Sequence, residues 1–124
     1  LAGVRILLVE DDGDLRDGLI ECLRMEGAEV VGAATGNRGF DAFIRERPNI
    51  IVSDLWMPDG TGHQLVARIR RLPPEQGGLT PAIAISAAPN EQSALLAGYQ
   101  GFLAKPFDLS RLVQQIAGFS GHAP

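Results

Sequence analysis

Short, nearly continuous apolar runs alternate along this chain with stretches whose apolar residues recur every three or four positions. Residues 4–9 (VRILLV) form the first such run and predict a strand. Leu15, Leu19, Cys22 and Leu23 then fall at helical spacing, and Gly27 is positioned to end that helix. Glu29–Ala33 predicts a weaker strand, and Phe40, Phe43 and Ile44 mark a second helix closed by Pro48. Residues 50–53 predict a third strand. Leu65, Val66, Ile69 and Leu72 predict a third helix, stopped by Pro73 and Pro74 ahead of the turn-rich loop EQGGL. Ala82–Ser86 reads as a fourth strand. Asn90 is a cap for a short helix running through Leu96 to Gly98. Gly101–Ala104 supplies a fifth strand, and Leu109, Leu112, Val113 and Ile116 a last helix capped by Asp108.

Strand followed by helix, five times over, implies right-handed βαβ units and a parallel sheet covered on both faces. The expected fold is α/β: a doubly wound five-stranded parallel sheet of order 2-1-3-4-5, a flavodoxin-like three-layer sandwich. The 124 residues suit one core. The expected domain spans residues 1–119, with 120–124 a C-terminal tail or the start of a linker.

Composition narrows the function. A net charge of −4 argues against nucleic acid and against an anionic membrane surface as partners of this domain. No apolar run is long enough to span a membrane and no signal-peptide pattern opens the chain. The single cysteine fits a reducing, cytoplasmic setting. A chain that opens on Leu1 without Met is expected to be a segment of a longer protein. Cys22 is the only cysteine, which rules out an internal disulfide. Lys and Arg total 11, yet Lys105 is the only lysine. Either one position needs a compact ammonium where guanidinium will not do, or coding bias left one lysine by chance.

The candidate chemistry lies where the predicted strands end. In such sheets, ligands bind beyond the carboxyl ends of the strands at the switch point. Glu10, Asp11 and Asp12 follow the first strand, Asp54 ends the third, Ser86 the fourth, and Lys105 follows the fifth. With strands one and three as neighbours, the acidic group meets Asp54, and a hydroxyl and an ammonium come alongside. Crowded carboxylates repel one another, and a divalent cation removes that repulsion. Oxygen ligands favour Mg²⁺; zinc is disfavoured because His63 and His122 are far apart and have no cysteine partner. Mg²⁺ beside a carboxylate, a lysine and a hydroxyl suits phosphoryl transfer, with Asp54 as the nucleophile that becomes an aspartyl-phosphate. Plainer readings exist. Asp54 could form a turn, Glu10 and Asp11 could serve the first helix dipole, Asp12 reads as its cap, Ser86 could simply end a strand, and Lys105 could be a solvated loop residue. Cys22 and Met25 read as packing residues, His63 and His122 as surface.

The segments LLVEDD, IIVSDLWMPDGTG, AIAISA and GFLAKPF resemble, in order, the signature blocks of the response-regulator receiver domain. The resemblance covers essentially the whole chain. It implies that Asp54 is the phosphoacceptor, that Glu10 and Asp11 hold Mg²⁺ with Asp54, and that the Trp56 backbone carbonyl is a further metal ligand. It implies that Ser86 and Lys105 engage the phosphoryl group, and that Ser86 and Phe102 are the switch residues. It also implies a histidine kinase or histidine phosphotransfer domain as phosphoryl donor. The chain is then expected to be a self-modifying switch that slowly loses its own phosphoryl group, and not a turnover enzyme. It is expected to belong to a hybrid sensor kinase or another multidomain regulator. The side chain of Trp56, two residues after Asp54, is expected to shield the phosphoryl group from water.

The stretch from Ser86 to Lys105 is a few residues shorter than the family pattern, which affects the helix-four face and leaves the acidic pocket intact. Lys105–Pro106 is a site where a cis peptide would fit. Three rivals stand on the same or a related α/β fold. An aspartyl-phosphate phosphatase wants a second carboxylate where Trp56 stands. A flavodoxin-type flavin module wants a hydroxyl- and glycine-rich loop where Glu10 and Asp11 stand. The third is a docking module that no longer needs phosphorylation.

Overall fold

The computed structural model describes residues 1–57, 60–87 and 91–120. Five strands, β1 (Arg5–Val9), β2 (Glu29–Ala33), β3 (Ile50–Asp54), β4 (Ala82–Ser86) and β5 (Gly101–Ala104), form one sheet in the order β2-β1-β3-β4-β5. Every pairing in it is parallel. This is the expected 2-1-3-4-5 order. Among the described residues, four α-helices connect the strands, α1 (Gly13–Met25), α2 (Gly36–Glu46), α3 (Gly62–Arg70) and α4 (Glu91–Ala97), and α5 (Leu109–Phe119) follows the last strand.

Alternation along the strands divides the core in two. Leu7, Val9, Ile51, Ala82 and Ala84 face one side, packed with Phe43, Leu65, Val66 and Ile69 of α2 and α3 and with Ala94 of α4. Ile6, Leu8, Ile50, Val52, Ile83 and Ile85 face the other, packed with Leu19 and Leu23 of α1 and Leu112 and Ile116 of α5. Because both faces are covered, the central strands are apolar at consecutive positions. Each large side chain so buried contributes on the order of 1.5–3 kcal/mol.

Several helix ends follow the expected signals, while α3 stops at Arg70, short of the expected Leu72. Asp12 caps α1, its carboxylate accepting from the Asp14 and Leu15 amides. Gly27 follows α1 with φ +96°. Arg47 closes α2 in the left-handed region at φ 49°, just before Pro48. Asp108 stands at the N-cap of α5, but its side chain makes no capping bond. The Asn90 cap lies outside the described residues.

Other elements depart from the sequence reading. Strand β3 runs one residue further than expected and takes in Asp54. Beyond it, Trp56–Met57 pairs antiparallel with Gly60–Thr61 in a two-residue ribbon that the sequence pattern does not predict. Pro74–Gln76 forms a single 3-10 turn inside the proline-rich loop. Met25, expected to pack, is 82% exposed at the end of α1. The Lys105–Pro106 peptide is cis. Among the described residues, no helix is long and apolar enough to cross a membrane.

Candidate functional site

Sheet register assembles the site. Val9 of β1 lies opposite Ser53 of β3, so the next residues, Glu10 and Asp54, emerge side by side. Asp54 pairs with Ile85, which brings Ser86 to the same end, and Ser86 pairs with Ala104, immediately before Lys105. The Lys105 amide donates to the Ser86 carbonyl at 2.7 Å, holding those two strand ends together.

The lysine closes the cluster. Its Nζ donates to Glu10 Oε1 at 2.6 Å and to Asp54 Oδ2 at 2.9 Å. The other Asp54 oxygen, Oδ1, accepts the Trp56 backbone N–H at 3.0 Å. Asp54 is only 7% exposed, Glu10 and Ser86 are fully buried, and Asp11 stands at the exposed rim. Arg16 of α1 reaches back to donate to the Glu10 carbonyl at 2.9 Å, fixing the turn after β1.

Two carboxyls sharing one ammonium are driven apart in proton affinity. Burial first, and then the neighbouring Asp54 carboxylate, push Glu10 up to about 7 against the pull of Lys105. Burial also acts to raise Asp54. Its contacts with Glu10, Lys105 and the Trp56 N–H outweigh that effect and hold it below the ordinary aspartate value. Burial lowers Lys105, but hydrogen bonds to Asp54 and Glu10 outweigh it and hold the ammonium above its ordinary value. Asp54 is therefore an ionised, partly enclosed carboxylate with a cation on one oxygen and a backbone donor on the other.

The donor set fits a hard divalent cation. One carboxylate oxygen from each of Glu10, Asp11 and Asp54 lies within 4.8 Å of the others. Glu10 Oε2 is buried without a hydrogen-bond partner, which is costly for a carboxylate unless a cation satisfies it. All three ligand atoms are oxygens and the rim at Asp11 is open, so water can complete the coordination.

A family model described as the response regulator receiver domain matches residues 6–117. The chain belongs to the response regulator receiver domain family. The receiver domain is 43% identical over 121 residues to an uncharacterized 14.6 kDa protein in the sodA1 3′ region of Leptolyngbya boryana, covering 93% of this chain and 91% of that one. It is 33% identical over 113 residues to the response regulator protein FleR of Pseudomonas aeruginosa, covering 91% of this chain but only 24% of FleR. It superposes with a TM-score of 0.86 on a CheY-like response regulator receiver domain protein from Methanospirillum hungatei JF-1, at 28% identity and covering 95% and 94% of the two chains.

The structure thus gathers Glu10, Asp11, Asp54 and Lys105 into one pocket and sets Ser86 at its edge. Trp56 stands beside Asp54 with its side chain 53% exposed. Phe102 is half-buried on β5, packed against the α2/α3 side of the core. His63, expected at the surface, is half-buried: its ring lies 5.7 Å from that of Trp56, and its Nε2 sits 2.7 Å from Ser93 Oγ. His122 lies outside the described residues. Sequence reasoning missed Ser53, Gly62 and Tyr99, which pack behind Asp54. Tyr99 was detectable only as an unassigned aromatic two residues ahead of β5.

Proposed function

We propose that this receiver domain accepts a phosphoryl group on Asp54 from a phosphohistidine and works as a conformational switch. The observation that carries the reading is the pair of contacts on one buried carboxylate: Lys105 Nζ at 2.9 Å from Oδ2 and the Trp56 N–H at 3.0 Å from Oδ1. These keep Asp54 ionised, oriented and partly shielded from water, as a nucleophile requires.

In the transfer, an Asp54 oxygen forms the new O–P bond while the N–P bond of the donor histidine breaks, and the leaving imidazole nitrogen takes a proton from solvent. Glu10, Asp11, Asp54 and the Trp56 carbonyl would hold Mg²⁺, which supplies charge to neutralise the phosphoryl oxygens. The Lys105 ammonium pairs with those oxygens, and Ser86 supplies a hydroxyl from the neighbouring strand end. The added negative charge draws Ser86 and Lys105 inward, and Phe102 on the adjacent strand follows. The chain modifies itself and resets by slow hydrolysis; it does not turn over a substrate. The donor class is a histidine kinase or a histidine phosphotransfer domain, and the output lies in a further domain or partner.

Beryllofluoride titration with and without Mg²⁺, on the wild type and Asp54→Ala, tests the reading. Trp56, the only tryptophan, reports through its fluorescence. A metal-dependent change in the wild type alone is expected. No response from the wild type would favour the docking module.

A further inference from the structure

Behind the acceptor, three segments meet at one point. Tyr99 sits between α4 and β5 and is only 2% exposed. A buried phenol needs a hydrogen-bond partner, and the Tyr99 hydroxyl finds one 37 residues away, donating to the Gly62 carbonyl at 2.9 Å. Gly62 opens α3, and its missing side chain makes the space. A Cβ there would lie 2.4 Å from the Asp54 carbonyl oxygen, 2.5 Å from the Tyr99 hydroxyl and 3.1 Å from Ser53 Oγ. Ser53 Oγ donates to the Asp54 carbonyl at 2.9 Å, and it and the Tyr99 hydroxyl flank the same open face of Gly62. The Gly62 amide donates to the Leu55 carbonyl at 2.8 Å.

The Asp54 peptide is therefore held from behind, while Lys105 and the Trp56 amide hold its carboxylate in front. The Tyr99 end of this contact is itself anchored. Its amide donates to Ala94 of α4 at 3.1 Å, next to Gly98 in the left-handed region at φ +110°.

We infer that Tyr99 is a positioning residue for phosphoryl transfer, its hydroxyl setting the orientation of Asp54 through Gly62 and Ser53. The inference rests on the reading of Asp54 as the acceptor. A nucleophile must meet phosphorus in line, so a small loss of orientation is expressed in the rate more than in stability. It also ties the α4–β5 junction to the acceptor, so phosphorylation and the placement of α4 share one contact.

The test compares wild type, Tyr99→Phe, which keeps the ring, and Ser53→Ala, which removes the hydroxyl that holds the Asp54 carbonyl. Three quantities are read: the rate of labelling by acetyl phosphate with Mg²⁺, the urea midpoint, and the Trp56 backbone amide resonance, which reports its bond to Asp54. Both variants are expected to label about tenfold more slowly, the equivalent of one hydrogen bond lost in the transition state. The Trp56 amide is expected to shift upfield, with midpoints close to wild type. Lowered midpoints with unchanged labelling of the folded protein and an unmoved Trp56 amide would make Tyr99 purely structural and overturn the inference. If the wild type takes no label, the acceptor reading fails, and the Trp56 amide alone decides: a shift in Tyr99→Phe supports the positioning role and no shift overturns it. If Tyr99→Phe does not fold, Ser53→Ala decides by the same readouts.

Discussion

Glu10 and Lys105 are 95 positions apart in the chain and 2.6 Å apart in space. The same ammonium lies 2.9 Å from Asp54, so one lysine holds two buried carboxyls that would otherwise repel. This explains the single lysine in an arginine-rich chain: a compact ammonium fits between two carboxyls where a planar guanidinium would have to enter broadside.

Removing that charge should tighten metal binding while disabling the switch. The ammonium opposes a cation at the same carboxylates, and Lys105→Gln relieves that opposition in a partly solvated pocket. Mg²⁺ affinity should rise about tenfold, equivalent to about 1.4 kcal/mol. Titration of Trp56 fluorescence with Mg²⁺ measures it, and a weaker affinity in the variant would count against the arrangement.

The raised Glu10 gives a pH signature. Glu10 holds its proton up to about 7 in the folded, metal-free protein, against an ordinary value of 4.5. The folded state therefore binds more protons than the unfolded state between those values, and metal-free stability should fall as pH rises from 4.5 to 7. Mg²⁺ must displace that proton, so binding below pH 7 should release protons and the apparent affinity should climb with pH, levelling above 7. Calorimetry in two buffers of different ionisation enthalpy counts the protons released. Glu10→Gln should abolish both the release and the slope.

Gly62→Ala should be among the costlier small substitutions in the chain. The new methyl would meet the Asp54 carbonyl at 2.4 Å, a backbone atom that cannot rotate away. A loss of about 2–3 kcal/mol is expected from overpacking, read as a lowered urea midpoint. Gly18 has open space at the same point and serves as the control.

Trp56 is braced by His63, which is hydrogen-bonded to Ser93 of α4. Trp56→Ala should speed hydrolysis of the phosphorylated protein severalfold by opening the acceptor to water. His63→Ala should act in the same direction but more weakly, since the indole remains. An unchanged decay rate in Trp56→Ala would remove its shielding role.

Much of the fold was legible because β1, β3 and β4 are buried on both faces and read as unbroken apolar runs, while α1 to α3 and α5 carry one-sided stripes. The acidic pocket was legible because Glu10, Asp11, Asp54, Ser86 and Lys105 each fall at the carboxyl end of a strand or just beyond it, where chain order alone fixes the strand end. Other features lacked a local signal. The ribbon at Trp56 is two residues long, too short for any period. Met25 falls near the helical stripe, but it is the last residue of α1 and is left exposed. Tyr99 makes its one deciding contact with a glycine carbonyl 37 residues earlier, which no pattern of side chains encodes.

Intact-mass spectrometry after incubation with acetyl phosphate tests the central claim most directly. The wild type with Mg²⁺ should gain the mass of one HPO₃ group, lost again on mild alkaline treatment, and neither Asp54→Asn nor metal-free wild type should gain it. Equal labelling of Asp54→Asn, or labelling indifferent to Mg²⁺, would contradict the account.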